Sequence, residues 1–521
     1  MLFNSYTFLL IYLPVVFIGF FRLAKYSYRL AALWLAAASV FFYGYWNPAY
    51  VGLLLGSIVV NYGVGYRIGH IVRSSRQAKV LLAGTIAVNL ALLGYFKYAN
   101  FFLGNLEGMT GFAVTPLDII LPLGISFFTF TQIAFLVDVR NGATNEYNFI
   151  TYLLFVTYFP HLIAGPVLHH KQVMPQFSRS QTYRINWKNI AIGLTIFAIG
   201  LAKKVLIADS LAPIADGVFK AASEGRTIML FEAWFGALAY TFQLYFDFSG
   251  YSDMAIGLSR LFNVRLPLNF DSPYRATSIV EFWRRWHMTL SDFLRDYLYI
   301  PLGGNRVGSL RRYANVFATM LLGGLWHGAN WTFVVWGALH GIYLIINFGW
   351  RALCARLGLR WRGPRWMASL LAWAITFLAV VVAWVLFRAG SFFDARQILA
   401  GLIGTNGISL PFQLADIQFG RRLAALIPWE VRFEGFMTNM VFTLRYDLPL
   451  IVVAALLAWI APNTQQLFTK WSPALTRVSP PQPGLPGLWK PDLYWGLFVS
   501  MLLALSVLGF SGTSAFLYFQ F

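Results

Sequence analysis

The chain has 521 residues, of which 58% are apolar, 18% aromatic and only 12% charged, against roughly one-quarter charged residues in a soluble domain. That balance excludes disordered chains, secreted disulfide scaffolds and coiled coils, and the single Cys354 can supply neither an intrachain disulfide nor a cysteine metal site. Forty Lys and Arg against 20 Asp and Glu give a formal charge of +20, but the cations collect between apolar runs, as in Arg67, Arg73, Arg76 and Lys79 or Arg351, Arg356, Arg360, Arg362 and Arg365, a positive-inside pattern that argues against nucleic acid and for contact with membrane lipids or an acidic cytosolic ligand.

A membrane helix takes about 20 residues, so this length and composition predict a polytopic, all-α membrane protein of about 11–14 transmembrane or re-entrant helices. The run from Tyr6 to Phe21 carries its cations after it, at Arg22, Lys25 and Arg29. A cleaved signal would carry them before, so this is a retained first helix with its N-terminus outside the cytoplasm. Uncharged runs at 30–46, 51–60 (extending to Gly65), 80–96, 368–387, 448–461 and 493–510 follow as membrane helices. Runs at 117–137, 149–168, 189–209, 229–247, 314–326 and 331–349 are broken by Pro, Gly, Asp, Lys or His. Polar groups at that depth must face protein or a water-filled cavity, which places the working site there.

Simple up-and-down threading fails near 140–190, because the segment with Lys171, Arg179, Arg184 and Lys188 would land outside. A re-entrant or interfacial piece at Phe159 to Val167, broken by Pro160 and Gly165-Pro166, restores the charge rule. The chain therefore reads as one domain, 1–521, with N-terminal helices over 1–137, a core over 138–350 and C-terminal helices over 351–521. The last part includes an extramembrane excursion at 388–446 and a Pro-rich loop at 470–491.

Polar residues concentrate between Asp247 and His340. Glu281 to Ile300 predicts an amphipathic helix, with Trp283, Trp286, Leu290, Phe293 and Tyr297 on one face and Arg284, Arg285, Asp292, Arg295 and Asp296 on the other. His287 shares the face of Trp283 and Leu294, where it either satisfies a core hydrogen bond or takes part in chemistry. In LLGGLWHGANW, Leu321 to Trp331, Gly328 and Asn330 interrupt a helix just after Trp326 and His327. A histidine at an intramembrane break is suited to general-base work, since its ordinary pKa lies near 6.5. His340 belongs to the next apolar helix. Adjacent His169 and His170 diverge rather than chelate, and belong to a loop near the cytosolic face. No metal site and no phosphate-binding or serine-hydrolase motif is found.

The segments YFDFSGYSDMAIGL (Tyr245 to Leu258), EFWRRWHMTLSDFLRDYLYIPLGGNR (Glu281 to Arg306) and LLGGLWHGANWTFVVWGALHG (Leu321 to Gly341) closely resemble the membrane-bound O-acyltransferase family. GYFKYANF (Gly94 to Phe101), LPLGISFFTF (Leu121 to Phe130) and FPHLIAGPVL (Phe159 to Leu168) fit its polysaccharide branch, and the similarity runs from residue 1 to about 390, loosening over 404–446. The resemblance implies many helices around a central tunnel, with an acyl donor entering from the cytosol and an acceptor from the other side. It places the family's catalytic histidine on His327 and its second polar position on His287.

From this follow the expected roles. His327 is the base for acyl transfer from a thioester, His287 orients or polarises a reactant, and Trp326 and Asn330 line the site. Arg284, Arg285 and Arg306 either neutralise the phosphates of an acetyl-CoA donor or anchor the helix to lipid headgroups. Asp247 and Asp253, in a Gly- and Ser-containing break, pair with those arginines. Two hypotheses stand: an O-acetyltransferase of the bacterial inner membrane that hands acetyl to a periplasmic SGNH-type acetyltransferase for an exopolysaccharide, alginate first and cellulose next, or a non-enzymatic transport or assembly subunit of the export machinery.

Overall fold

The computed structural model describes residues 1–143, 148–163, 165–306, 308–359, 363–426, 428–436, 445–476, 488–510 and 516–517. The N-terminal part is a run of helices, Thr7–Ala24 (α1), Tyr28–Gly44 (α2), Ala49–His70 (α3), Arg76–Thr110 (α4) and Ile125–Arg140 (α5). Phe149–Thr157 (α6) leads into a buried non-helical stretch, and His170–Phe177 (α7) follows it. Two long helices, Trp187–Ser223 (α8) and Leu230–Leu261 (α9), form the centre. Ile279–Arg285 (α10) and Met288–Leu294 (α11) are short, and Ser309–His327 (α12), Trp331–Leu357 (α13) and Arg365–Arg388 (α14) follow. The C-terminal part contains Phe392–Leu402 (α15), Gln418–Leu426 (α16), Asp447–Trp459 (α17) and Leu493–Leu508 (α18).

Six of these stretches are long and apolar enough to cross a membrane, and three shorter apolar helices accompany them. Large apolar side chains such as Leu10, Ile18, Val60, Leu371 and Leu497 are exposed on their outer faces, as a hydrocarbon solvent permits. The protein is an all-α, multi-pass membrane protein. Among the described residues, the excursion at 388–446 holds α15, α16 and a pair of two-residue parallel strands, Ile408–Ser409 and Val431–Arg432. The Pro-rich expectation for 477–487 and the cations Arg360 and Arg362 lie outside the described residues.

The core is organised by α9, in which every residue from Ala239 to Leu261 is buried. Sequence reading put a break at its Gly and Ser residues; the helix is unbroken. Those glycines serve a close crossing: a Cβ on Gly250 would meet the Gly200 carbonyl at 2.7 Å, and one on Gly257 the Gly193 carbonyl at 2.6 Å. Small residues let α8 and α9 approach backbone to backbone, the usual device of membrane helix pairs. Asp247 and Asp253 do not pair with the arginines. Asp253 pairs with Lys203 at 2.7 Å, and Asp247 with Lys204, which also holds Asp209 at 2.8 Å. Both lysines lie on a π-type turn of α8, Lys203–Ala208, so the carboxylates are neutralised within the helix pair.

One other expectation changes and one holds. The run at 117–137 becomes helical only at Ile125, after Gly124 in a left-handed conformation (φ 70°), and Asn100 holds the preceding segment through both backbone groups of Leu117. The segment at Phe159 to Val167 is the expected interruption: α6 ends at Thr157 and helix resumes at His170.

The basic stretches at 22–29, 67–79 and 171–188 share one face, Asn141 and Lys171 lining one cavity there. Tyr183, in the 171–188 segment, stacks on Tyr28 at 4.7 Å between ring centres, beside Arg22, Lys25 and Arg29. The Arg73 guanidinium lies against Gly142. This basic face is called the inner face below.

Candidate active site

The end of α12 builds the first half of the site. Gly328 leaves the helix in extended backbone (φ −163°, ψ 155°), and a side chain there would collide with the Phe333 ring. Asn330 then starts α13: its Oδ1 accepts from Thr332 N–H at 3.0 Å and its amide donates to the Gly390 carbonyl at 2.9 Å. The expected substrate-binding Asn330 is thus committed as a helix cap. The two helices meet at Gly324 and Gly337, where a Cβ on either would strike the other's backbone.

A helix end inside a membrane leaves its last carbonyls without helical partners. Here two side chains that sequence reading passed over take them. Lys97, on a π-type turn of α4 (Gly94–Tyr98), donates to the carbonyls of Trp326 at 2.7 Å and His327 at 2.9 Å. Its neighbour Tyr98 donates to the Leu325 carbonyl at 2.7 Å. A cation at a helix C-terminus is also favoured by the helix dipole. The GYFKY segment held the signal, a lysine amid an apolar run, whose cost in a membrane implies a partner.

His327 is thereby set with its ring among Trp326, Trp336 and Phe387, at centroid distances of 5.0, 5.1 and 5.2 Å. It lines a cavity of about 90 Å³ with Trp326, Lys97, Trp46, Ile163 and the 121–127 segment. This cavity lies opposite the inner face, near the α2–α3 turn.

His287 forms the second half, and the predicted helix over 281–300 is broken at it. Trp286 is extended and His287 left-handed, at φ 43° and ψ 52°, a conformation that costs a side-chain-bearing residue of order 1–3 kcal/mol and persists only when surroundings impose it. Asn269 imposes it. Its carbonyl accepts from Met288 N–H at 3.0 Å, and its Oδ1 accepts from Thr289 Oγ1 at 2.6 Å and lies 3.3 Å from His287 Nδ1. Because Oδ1 only accepts, Nδ1 carries the proton and Nε2 is the acceptor. Thr289 in turn takes the Val167 N–H at 2.9 Å, tying the interrupted 158–169 segment to this corner. Trp326 lies between the histidines, 6.3 Å from His287 and 5.0 Å from His327. His340, fully buried, accepts from Trp283 Nε1–H at 3.2 Å and packs on Trp336.

From Trp326 a column of rings runs toward the inner face: Phe130 at 5.4 Å, then Phe293 at 4.5 Å, Tyr297 at 5.0 Å and His169 at 5.6 Å. It ends at a second cavity of about 590 Å³ lined by Asp138, His169, Lys171, Arg295 and Tyr297 among others. His169 and His170 do diverge: His170 lies 3.2 Å from Asp138 and His169 3.2 Å from Tyr297, whose hydroxyl donates to Asp138 at 2.9 Å.

The structure thus brings together His327, His287 and Trp326, with Lys97 added. It does not bring Asp247, paired in the α8–α9 crossing, or the arginines. Arg285 is bound to Glu281 at 2.8 Å, and Arg284 and Arg306 are exposed and line neither cavity. Among the described residues no group of three or more His, Cys, Asp or Glu is placed to hold a metal ion.

Residues 124–387 match the model of the MBOAT, membrane-bound O-acyltransferase, family. A peptidoglycan O-acetyltransferase of Helicobacter pylori is 45% identical, the match covering 79% of this chain and 81% of the relative. A protein of Pseudomonas aeruginosa named "Probable alginate O-acetylase AlgI" is 48% identical, over 75% of this chain and 72% of its own length. A teichoic acid D-alanyltransferase of Streptococcus thermophilus is 29% identical over 44% of this chain.

Proposed function

The chain belongs to the membrane-bound O-acyltransferase family, and on that premise we propose that it takes acetyl from cytosolic acetyl-CoA and delivers it across the bacterial inner membrane for O-acetylation of an exopolysaccharide. The observation that carries the reading is His327, fixed by Lys97 and Tyr98 at the floor of the outer cavity, with a ring column leading from Trp326 to a polar cavity on the inner face. Acetyl-CoA is charged and cytosolic, the acceptor hydroxyl is outside, and neither crosses about 30 Å of hydrocarbon unaided. The reactants therefore meet inside the protein, between the two cavities.

In the reaction His327 takes the proton of the acceptor hydroxyl as its oxygen attacks the thioester carbonyl. A C–O bond forms, the C–S bond breaks, and the departing thiolate recovers the proton from the imidazolium. His287, beyond Trp326, polarises or orients a reactant from its fixed corner. The acceptor is the serine hydroxyl of a periplasmic SGNH-type acetyltransferase that passes acetyl on to the polymer. The relatives named for alginate and peptidoglycan O-acetylation support a polymer outside the membrane, and alginate is the first choice.

The test places the purified protein in vesicles with acetyl-CoA on the inner face and the acceptor on the other. Acetylated acceptor that requires the bilayer-separated donor supports the relay. Acetylation of a cytosolic sugar precursor with no external partner refutes it, even with His327 as the base.

A further inference from the structure

A groove of about 970 Å³ opens on the inner face beside the inner cavity, with which it shares Lys171 and Gln172. Lys171, Arg179, Arg184, Lys188, Arg260 and Arg265 line it. Among the described residues none of the six forms an ion pair with a carboxylate. The sequence explains this. Every lining residue comes from the stretches 147–208, 254–270 and 448–491, which contain neither Asp nor Glu.

The groove has depth as well as charge. Arg179, Arg184 and Lys188 are exposed at its rim and Arg265 is half-buried, while Arg260 is 4% exposed and its Nε has no hydrogen-bond partner. A buried guanidinium without a counter-charge is costly, and an anion in the groove would relieve that cost. The walls are fixed from within. Asn263, left-handed at φ 61°, accepts from the Asn189 amide at 2.7 Å and donates to the Arg184 carbonyl at 2.7 Å. Gln176 bonds both backbone groups of Arg265, at 2.9 and 2.8 Å. Lys188 is held over the Trp471 ring at 4.1 Å.

We propose that this groove is a binding site for a ligand carrying two or more phosphate groups. Several cations around one pocket exceed what a single carboxylate needs, and guanidinium groups match phosphate oxygens bidentately. The inference rests on the groove alone and is separate from the role of His327. Clustered phosphates reach this face from two sources, a soluble diphosphate or the two phosphates of a cardiolipin headgroup.

The full chain in zwitterionic nanodiscs is titrated with ADP and with pyrophosphate, and in parallel its retention of added cardiolipin is measured by native mass spectrometry. Arg179→Ala with Arg184→Ala, both at the exposed rim, should weaken binding about ten- to a hundredfold, Arg260→Gln at least as much, and added salt should weaken it further. His327→Ala should leave it unchanged, so this inference and the proposed reaction fail separately. Binding of the soluble diphosphates that the variants weaken assigns a soluble ligand. Cardiolipin retention alone, weakened by the same variants, assigns a lipid headgroup. No binding of any probe, or binding indifferent to both variants, overturns the proposal.

Discussion

Two helix breaks each carry a histidine, and they are made in opposite ways. At His327 the break is local: Gly328 permits the extended turn and Asn330 caps the next helix. At His287 nothing in the neighbouring sequence favours a left-handed residue, and the corner is imposed from a distance by Asn269, which also reaches Thr289. The first break would form wherever this segment folded as a helix pair; the second exists only once the 269 region and the 158–169 segment are in place. The histidine proposed as the base is thus built on the more locally encoded break, and His287 on the tertiary one.

The comparison is sharpened by removing each part in turn. His327→Ala should lower acetyl transfer from the thioester by about 10²- to 10⁴-fold with membrane abundance near normal. Retained transfer at equal abundance would reject the general base. Lys97→Met should lower the rate by about ten- to a hundredfold, the worth of charge-assisted hydrogen bonds to the 326 and 327 carbonyls, with partial recovery in Lys97→Arg. An unchanged rate would show that the helix end holds His327 without help.

His287→Ala and His287→Gly both remove the imidazole, yet only Gly is at ease at φ 43°. The Ala variant should be less stable than the Gly variant by about 1–2 kcal/mol, read as a lower melting temperature. Equal melting would mean the corner relaxes and is not imposed. The smallest effect is expected from Asn330→Ala: loss of a cap, about 1 kcal/mol, with the rate little changed. A large fall in rate with normal stability would return Asn330 to the substrate.

Some errors of sequence reading have the same root as this comparison. Gly250 and Gly257 look like breakers because glycine usually is one, but inside the bundle their missing side chains permit the α8–α9 crossing. Arg284 and Arg285, cations beside a histidine, read either as phosphate ligands or as lipid anchors. The structure instead gives Arg285 to Glu281 and leaves the cations of the inner groove without carboxylates.

By itself the sequence determined the membrane class, the clustering of the basic stretches, the interruption near Pro160 and the helix break after His327, because these follow from composition, charge placement and residues adjacent along the chain. Tertiary structure decided the rest. Lys97 lies 230 residues from His327, and Asn269 18 residues from His287. The six cations of the groove come from segments that only folding brings together. Hydrogen bonds and fields act through space over a few ångströms, so a partner remote in the chain leaves no local periodicity by which it can be read.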